Sequence, residues 1–215
     1  KKYIAFFQQE GLVKGDVIAI LNQKSIDSFG MMLAALQMGI IYTNLDPFSP
    51  VDRLDKMVQR CNPTLIIVDN LGESEIDFNT SSKNVKTFYL DQLTELGFSF
   101  EKNDELNAVV GTDPAYIMFT SGSTGFPKGA LMSHSNVLNL IQWAKTTFQI
   151  QETDKFTGVN PIYFDNSVFD FYSSIFNAAV YVPFSVEQVK NPKKLVELNQ
   201  EILLYRENDS EHSVK

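Results

Sequence analysis

The sequence is poor in cysteine and histidine, which excludes two kinds of chemistry. Its 215 residues include a single cysteine, Cys61, and two histidines. One thiol cannot form an internal disulfide, and no Cys/His group has the spacing of zinc ligands. The sequence therefore predicts neither a disulfide-stapled secreted domain nor a metal-binding set of side chains. Cys61 is expected to be an inert, buried thiol.

Positive charge is also scarce. Lys and Arg total 18 against 26 Asp and Glu, which gives a formal net charge of -8. A protein that binds along a phosphate backbone needs a basic face, so a nucleic acid is not expected as a partner.

The sequence also lacks a long, uninterrupted apolar run. The most apolar stretch, 164–184, is broken by polar residues that include Asp165 and Asp170, whereas a membrane-spanning helix needs about 20 mostly apolar residues. Residues 1–3, Lys-Lys-Tyr, do not form a signal-peptide pattern. We therefore expect no membrane association and a cytoplasmic location, and we interpret residue 1 as a boundary rather than a natural start.

What the sequence does contain is a regular alternation of strand-like and helix-like segments. Its 44% of hydrophobic residues and 11 glycines are typical of a folded domain. Strands are predicted over 16–21, 40–44, 65–68, 86–89, 116–119, 130–132, 156–159 and 179–182. Helices are predicted over 25–38, 49–61, 136–145 and 167–177. This order predicts an α/β fold with mostly parallel sheets flanked by helices.

Three of the predicted helices have end signals. Gly39 stands where it can cap the first helix at its C-terminus. Ser49 and Pro50 are predicted to begin the second helix, with the Ser49 hydroxyl as its cap. Ser135 is predicted to cap the helix that follows at 136–145.

The segment with the most chemical information is the loop between the predicted strands at 116–119 and 130–132. It reads Thr120-Ser121-Gly122-Ser123-Thr124-Gly125-Phe126-Pro127-Lys128-Gly129. Its glycines allow a tight backbone that exposes successive N–H groups to an anion. Its hydroxyl groups can donate to phosphate oxygens, and Lys128 supplies a mobile positive charge. These are the properties of a polyphosphate-binding loop.

Two better-known phosphate-binding loops do not match this segment. The Walker A pattern requires glycine before the lysine and a hydroxyl residue after it, whereas Pro127 and Gly129 flank Lys128. This disfavours a P-loop phosphotransferase. The dinucleotide-binding G-x-G-x-x-G is also absent, because Gly122 and Gly125 are separated by two residues. An ordinary surface turn rich in serine and glycine is the open alternative for a loop of this composition.

The ordered string T-S-G-S-T-G-x-P-K-G at 120–129 resembles the signature loop of the adenylate-forming (AMP-binding) superfamily. Its members include acyl-CoA ligases, luciferases and the adenylation domains of peptide synthetases. The segment 133–136, Ser-His-Ser-Asn, and the segment 36–47 also resemble motifs of that family. The second of these departs at Ile40 and Asn44 from the pattern A-G-x-x-Y-x-P-x-D-P.

The resemblance covers roughly residues 10–190 and implies the N-terminal portion of such an enzyme. We assign 1–190 to the N-terminal part of the large adenylation domain and 191–215 to a terminal helix and polar tail. The family's adenine-binding motif, ribose-binding Asp, hinge and C-terminal lysine are expected to lie outside this chain. The 215 residues alone are therefore expected to be inactive.

The resemblance also implies a reaction. In the family, a carboxylate attacks the α-phosphorus of ATP to give an acyl-adenylate and pyrophosphate, and a thiol then takes the acyl group. ATP and Mg²⁺ are the implied cofactors. The residues implied to bind ATP are Thr120, Ser121, Gly122, Ser123, Thr124, Gly125 and Lys128. Of these, Lys128 and Thr120 are the implied catalytic residues.

Asp165 is the implied substrate-binding residue. The string at 164–167, Phe-Asp-Asn-Ser, resembles the F-D-x-S motif of the amino-acid-activating branch, in which the Asp faces the substrate ammonium group. The longer string at 164–174 is also similar to the D-alanine-activating ligases that serve carrier proteins. A buried ammonium group needs a fixed anion, because an unpaired charge is costly to bury. The open alternative is a helix cap by Asp165 or Ser167.

The implied partners are an amino-acid substrate and a carrier protein. Two other functions stay open at this point: a non-catalytic ATP-binding or partner-binding remnant, and an acyl-CoA-ligase-type enzyme for a non-amino acid. His134 is expected to form a structural hydrogen bond rather than to act as a general base.

Overall fold

The computed structural model describes residues 1–69, 85–94, 108–120, 126–198 and 200. Contacts divide the chain into two compact units, Lys1–Val137 and Leu138–Lys215. Of the terminal helix and polar tail predicted at 191–215, residues 199 and 201–215 lie outside the described residues. The domain boundary predicted at residue 190 stays a prediction.

The first unit is built around a six-stranded sheet. Its strands are β1 Val17–Leu21, β2 Ile41–Leu45, β3 Leu65–Val68, β4 Lys86–Tyr89, β5 Pro114–Thr120 and β6 Lys128–Ser133. They lie in the order β4-β3-β1-β2-β5-β6. All neighbouring pairs are parallel except β5 and β6, which are antiparallel. The predicted α/β class with mostly parallel sheet is confirmed.

The helices of this unit are α1 Lys2–Gln9, α2 Ile26–Met38, α3 Val51–Cys61 and the start of α4 His134–Phe148. A 3-10 helix, Leu90–Thr94, follows β4. The sequence pattern did not predict α1, because Lys1 precedes it and offers no side-chain capping bond. Cys61, predicted to be buried, is only partly buried. This partial burial still raises the pKa of its thiol to about 12, so little thiolate forms near neutral pH.

The central strands are apolar because they are buried on both faces. β1 reads Val-Ile-Ala-Ile-Leu and β3 reads Leu-Ile-Ile-Val, with nearly every residue buried. Continuous runs of this kind are typical of parallel strands covered by helices. Leu54, Met57 and Val58 recur at the spacing of one helix face. They place α3 against a core cluster that also contains Ala19, Leu21, Leu45, Ile66 and Val68.

The second unit contains β7 Lys155–Gly158, α5 Asn166–Ile175, β8 Val180–Pro183 and α6 Val186–Lys190. β7 and β8 form a parallel pair, and α5 contacts both strands. The backbone is helical again over 192–198, where a terminal helix is predicted. Over the described ranges, every helix is too short or too polar to cross a bilayer.

The predicted cap at the end of α2 is confirmed, whereas the predicted cap at the start of α3 is wrong. Gly39 closes α2 in the left-handed conformation, at φ 68°, which costs glycine little. Ser49 does not cap α3, because Pro50 occupies the N-cap position without a side-chain bond. The Ser49 hydroxyl instead donates to Asp46 Oδ2 at 3.3 Å. The carboxylate of Asp46 thus holds the Ser49 side chain within the preceding turn.

The prediction that Ser135 caps α4 is also wrong, because α4 already begins at His134. Ser133 Oγ accepts a hydrogen bond from Asn136 N at 3.3 Å, and Asn136 Oδ1 accepts one from Ser133 N at 2.9 Å. Such a reciprocal pair satisfies backbone amides at a helix start. Ser135 N donates to Gly111 O at 2.7 Å and ties α4 to the turn before β5.

Asn44, one of the two departures from the upstream family motif, is buried in β2 and has its own partner. Asn22 Nδ2 donates to Asn44 Oδ1 at 2.9 Å. Asn22 Oδ1 in turn accepts from Lys24 N at 2.7 Å and from Ser28 Oγ at 2.9 Å. A buried amide is tolerated when its groups are paired, so Asn44 joins the ends of β1 and β2 instead of disrupting them.

Thr43, the neighbour of Asn44 in β2, has a buried hydroxyl with no hydrogen-bond partner among the described residues. A buried polar group without a partner costs about 1–3 kcal/mol. Thr43→Val keeps the branched shape and removes the hydroxyl, so we expect the free energy of unfolding to rise by about 1 kcal/mol in urea denaturation. As a matched control, Ser28→Ala removes a buried hydroxyl that is bonded and should lower stability. A Thr43→Val protein that is less stable than the parent would contradict this reading.

Candidate functional site

The two ends of the predicted phosphate-binding loop meet at the loop end of the β5–β6 hairpin. Thr120 and Lys128 are directly paired in the ladder of these strands. Thr120 Oγ1 donates to Lys128 O at 3.4 Å, and both residues are exposed. The residues between them that were predicted to bind ATP, Ser121, Gly122, Ser123, Thr124 and Gly125, lie outside the described residues. The roles of all seven stay predictions.

The loop end of the hairpin lies at the carboxyl ends of the parallel strands, the end of the sheet where α/β proteins bind ligands. β5 runs parallel to β2, and β2 runs parallel to β1, so the carboxyl ends of these strands share one edge. Thr120 is the last residue of β5 at that edge. Ligands of open α/β sheets bind outside the carboxyl ends of the strands. The predicted loop therefore leaves the sheet at the carboxyl ends of its parallel strands, where ligands of such sheets bind.

The stems of the loop are packed against the sheet and α3. Phe119, just before the loop, packs on the cluster that contains Leu54 and Met57 of α3. Pro127, near its end, is buried. A Cβ atom at Gly129 would lie 2.9 Å from Ile117 Cγ2, so glycine allows the close approach of the two strands. The backbone on either side of the loop is held by these contacts.

Lys128 is available to an anion. No described residue forms an ion pair with it. The ammonium group of Lys128 is a hydrogen-bond donor of the kind that a triphosphate requires. The Thr120 hydroxyl has one proton, which it donates to Lys128 O here, so it can donate to a phosphate only in place of that bond. Across the described ranges there is no group of three or more His, Cys, Asp or Glu side chains that could hold a metal ion.

Asp165 begins α5 in the second unit and does act as a cap. Its Oδ1 accepts from Asn166 N at 2.9 Å. Its Oδ2 has no hydrogen-bond partner among the described residues, and the side chain is exposed. Ser167 does not share the capping role, because it is buried and its Oγ lies 2.6 Å from Phe164 O and 3.0 Å from Ile162 O. The cap is therefore observed, and the second carboxylate oxygen remains available to a ligand.

An aromatic cavity lies in the same unit. It has a volume of about 240 Å³. Its lining residues are Phe148, Ile150, Asp154, Lys155, Phe156 and Phe169. Phe169 also contacts Trp143, with ring centroids 6.1 Å apart.

His134 makes a structural contact through its backbone rather than its ring. Its N–H donates to Asp113 O at 3.0 Å, whereas its buried Nε2 has no partner among the described residues. Asp113 is held by Lys14, whose Nζ lies 2.7 Å from Asp113 Oδ2. The sequence pattern did not reveal this pair, because Lys14 and Asp113 are far apart in the chain and neither belongs to a motif.

The His134 ring should make stability depend on pH. Burial lowers its pKa, and the nearby charge of Asp113 only partly opposes this. As pH falls, the unfolded chain therefore binds this proton first, so stability is lost below about pH 6.5. Asp113 affects stability in a different pH range. Its hydrogen bond with Lys14 lowers the pKa of its carboxyl group, so the stability that this interaction contributes is lost as pH falls below about 4.

We expect the urea concentration at the midpoint of unfolding to decrease between pH 7.5 and 5.5, and this decrease to be smaller in His134→Gln. His212→Gln, which removes the other histidine of the chain, is the matched control and should show the same decrease as the parent. An identical pH dependence in the parent and in His134→Gln would contradict the assignment.

The comparisons with known proteins agree on one family. The family described as AMP-binding enzyme matches residues 1–202. The L-proline--[L-prolyl-carrier protein] ligase of Pseudomonas fluorescens is 33% identical over 181 residues, which are 81% of this chain and 36% of that protein. Surfactin synthase subunit 2 of Bacillus subtilis is 32% identical over 188 residues, which are 86% of this chain and 5% of that protein. The chain thus spans about a third of the first relative and a small part of the second.

Solved structures show the same fold. The N-terminal subdomain of NpsA from Klebsiella oxytoca, in complex with 3-hydroxybenzoyl-AMSN, has a TM-score of 0.72 at 21% identity. The match covers 86% of this chain and 45% of that chain. These findings confirm the resemblance predicted from the loop at 120–129 and the fold class that it implies.

Proposed function

Because the chain belongs to the AMP-binding enzyme family, we propose that the protein uses ATP to activate an amino acid. In the proposed reaction, a carboxylate oxygen attacks the α-phosphorus of ATP. The bond from that phosphorus to the bridging oxygen breaks, and pyrophosphate leaves with the electron pair. The sulfur of a carrier-protein thiol, having lost its proton, then attacks the acyl carbon of the acyl-adenylate. The bond from that carbon to the AMP oxygen breaks, and AMP leaves with the electron pair.

The observation that carries this proposal is the β5–β6 hairpin, with Thr120 and Lys128 at its loop end, where β5 reaches the carboxyl ends of the parallel strands. An anionic carboxylate must approach an anionic polyphosphate, so charge is the main obstacle of the first step. Donors fixed before the reaction stabilise the charge that develops on a leaving group. We assign that role to Lys128 and to the residues between it and Thr120; the Thr120 hydroxyl would donate to a phosphate only in place of its bond to Lys128 O.

Mg²⁺ is proposed to reach this site together with the ATP phosphates. It commonly keeps water and phosphate ligands and needs only one or two carboxylates from a protein. The donor set described at the hairpin consists of hydroxyl and ammonium groups, which suits the phosphates rather than the metal. We therefore assign no residue of this chain as a Mg²⁺ ligand.

Two observations favour an amino acid over other carboxylic acids. The relatives include a ligase whose name specifies L-proline and a prolyl carrier protein. In this chain, Asp165 Oδ2 is available beside exposed Phe164. A carboxylate at this position can pair with the ammonium group of an amino acid, which a fatty acid does not have. The proposal concerns the whole protein; for the 215 residues alone we propose no appreciable turnover.

The proposal is tested by pyrophosphate exchange into ATP with the full-length protein. The twenty common amino acids, D-alanine, and a panel of fatty and aryl acids are supplied one at a time. We expect exchange above background with one or a few amino acids only. Exchange with fatty or aryl acids alone would overturn the amino-acid assignment. ATP binding without exchange for any acid would favour a non-catalytic ATP-binding protein.

A further inference from the structure

A lysine outside the loop contacts its far end. Lys56 lies on α3, and its Nζ is 5.1 Å from the centre of the Phe126 ring. A lysine ammonium within about 6 Å of an aromatic ring centre is attracted to the face of the ring. Phe126 occupies the variable position of the T-S-G-S-T-G-x-P-K-G string, so the string itself does not require an aromatic residue there.

The contact is selective. Asp52 precedes Lys56 by four residues on the same helix, a spacing at which opposite charges commonly pair. No ion pair forms between them. Phe126 is 59% exposed, so burial in the core does not hold its ring. The ammonium group of Lys56 thus contacts this ring and forms no ion pair with Asp52.

From these contacts we infer that Lys56 is a positioning residue, which fixes Lys128 through Phe126. Phe126 is joined to Lys128 by Pro127 alone. Pro127 is buried, and its ring restricts the backbone, so a fixed Phe126 limits where Lys128 can lie. The hydrogen bond from Thr120 Oγ1 to Lys128 O holds the same residue from the other strand. Lys56 and Thr120 therefore act on Lys128 from opposite ends of the loop.

This inference rests on the proposed function only for its effect on ATP, and one of its tests needs no ATP. Trypsin cuts after lysine, and the bond after Lys128 lies in β6, where cleavage requires local opening. We expect Lys56→Met to speed cleavage at this bond about two- to five-fold, since an exposed cation–π contact contributes roughly 0.5–1 kcal/mol and 1.4 kcal/mol is tenfold. Mass spectrometry of the peptide that ends at Lys128 gives the rate.

A double-mutant cycle separates positioning from direct contact with phosphate. Lys56→Met and Phe126→Leu should each raise the KM for ATP about two- to five-fold in pyrophosphate exchange by the full-length protein, with the KM for the amino acid unchanged. The double variant should be no worse than either single variant. Lys56→Arg should restore both KM and protease resistance. Arg60→Met removes a positive charge from the last turn of the same helix and should change neither.

Each outcome decides the question. If Lys56→Met raises the KM for ATP equally in the Phe126→Leu background, Lys56 acts on the phosphates directly and the positioning role is wrong. If cleavage after Lys128 is the same in the parent and in Lys56→Met, it is also wrong. If the parent itself does not use ATP, the proposed function fails, while the cleavage rates of the four proteins in the cycle still test the contact.

Discussion

Lys128→Ala is expected to lower pyrophosphate exchange by the full-length protein by about 10²- to 10³-fold, the loss seen when one fixed donor to a developing negative charge is removed. Lys128 is exposed at the loop end of the β5–β6 hairpin, and no described residue forms an ion pair with it. Its removal should therefore leave the free energy of unfolding nearly unchanged. The loss of exchange would then report on catalysis and not on folding.

Two controls sharpen this result. Lys128→Arg keeps the positive charge but changes its shape and hydration, so partial activity is expected. Lys145→Ala removes a basic residue from the last turn of α4 and should leave exchange within about two-fold of the parent, as for a surface substitution with little effect. If Lys128→Ala retained full exchange and folded normally, Lys128 would not be a catalytic residue.

Asp165→Asn should separate the two roles that the structure allows for Asp165. Asparagine caps a helix about as well as aspartate, so the bond from Asn166 N and the stability of the protein should be retained. The negative charge is lost, however, and a substrate ammonium group would have no anion. We expect the kcat/KM for the amino acid to fall about 10- to 100-fold, because a hydrogen bond to a charged group contributes about 1.5–3 kcal/mol.

The matched variant is Asp165→Ala. It removes both the charge and the cap, so it should lose the same activity and also about 1 kcal/mol of stability. The KM for ATP should change little in either variant. An Asp165→Asn protein with normal kcat/KM, beside a destabilised Asp165→Ala protein, would show that the side chain is a cap and nothing more.

The sequence was sufficient to predict features that depend on neighbouring residues. Continuous apolar runs identified β1 and β3, and a glycine after an apolar helix identified the end of α2. It was harder to predict which of several nearby side chains forms a given hydrogen bond. Ser49 bonds to Asp46, and Ser133 with Asn136 takes the place predicted for Ser135. In each case, a nearby side chain satisfies a group that the simpler pattern assigned elsewhere.

For the candidate site, the sequence predicted the loop but not what holds it. The string at 120–129 was recognisable because its residues are contiguous, and the structure shows Thr120 and Lys128 paired at its ends. The contact of Lys56 with Phe126 joins residues 70 positions apart, and no spacing rule reveals it. The pairing of Asn22 with Asn44 was hidden for the same reason, since it exists only once β1 and β2 are adjacent.

The most direct measurement is a crystal structure of the full-length protein with a non-hydrolysable ATP analogue. We expect the β- and γ-phosphates at the loop end of the β5–β6 hairpin, with Lys128 Nζ about 3 Å from a phosphate oxygen. Phosphates bound at another part of the protein, with Lys128 directed into bulk solvent, would contradict the assignment of this hairpin as the ATP site.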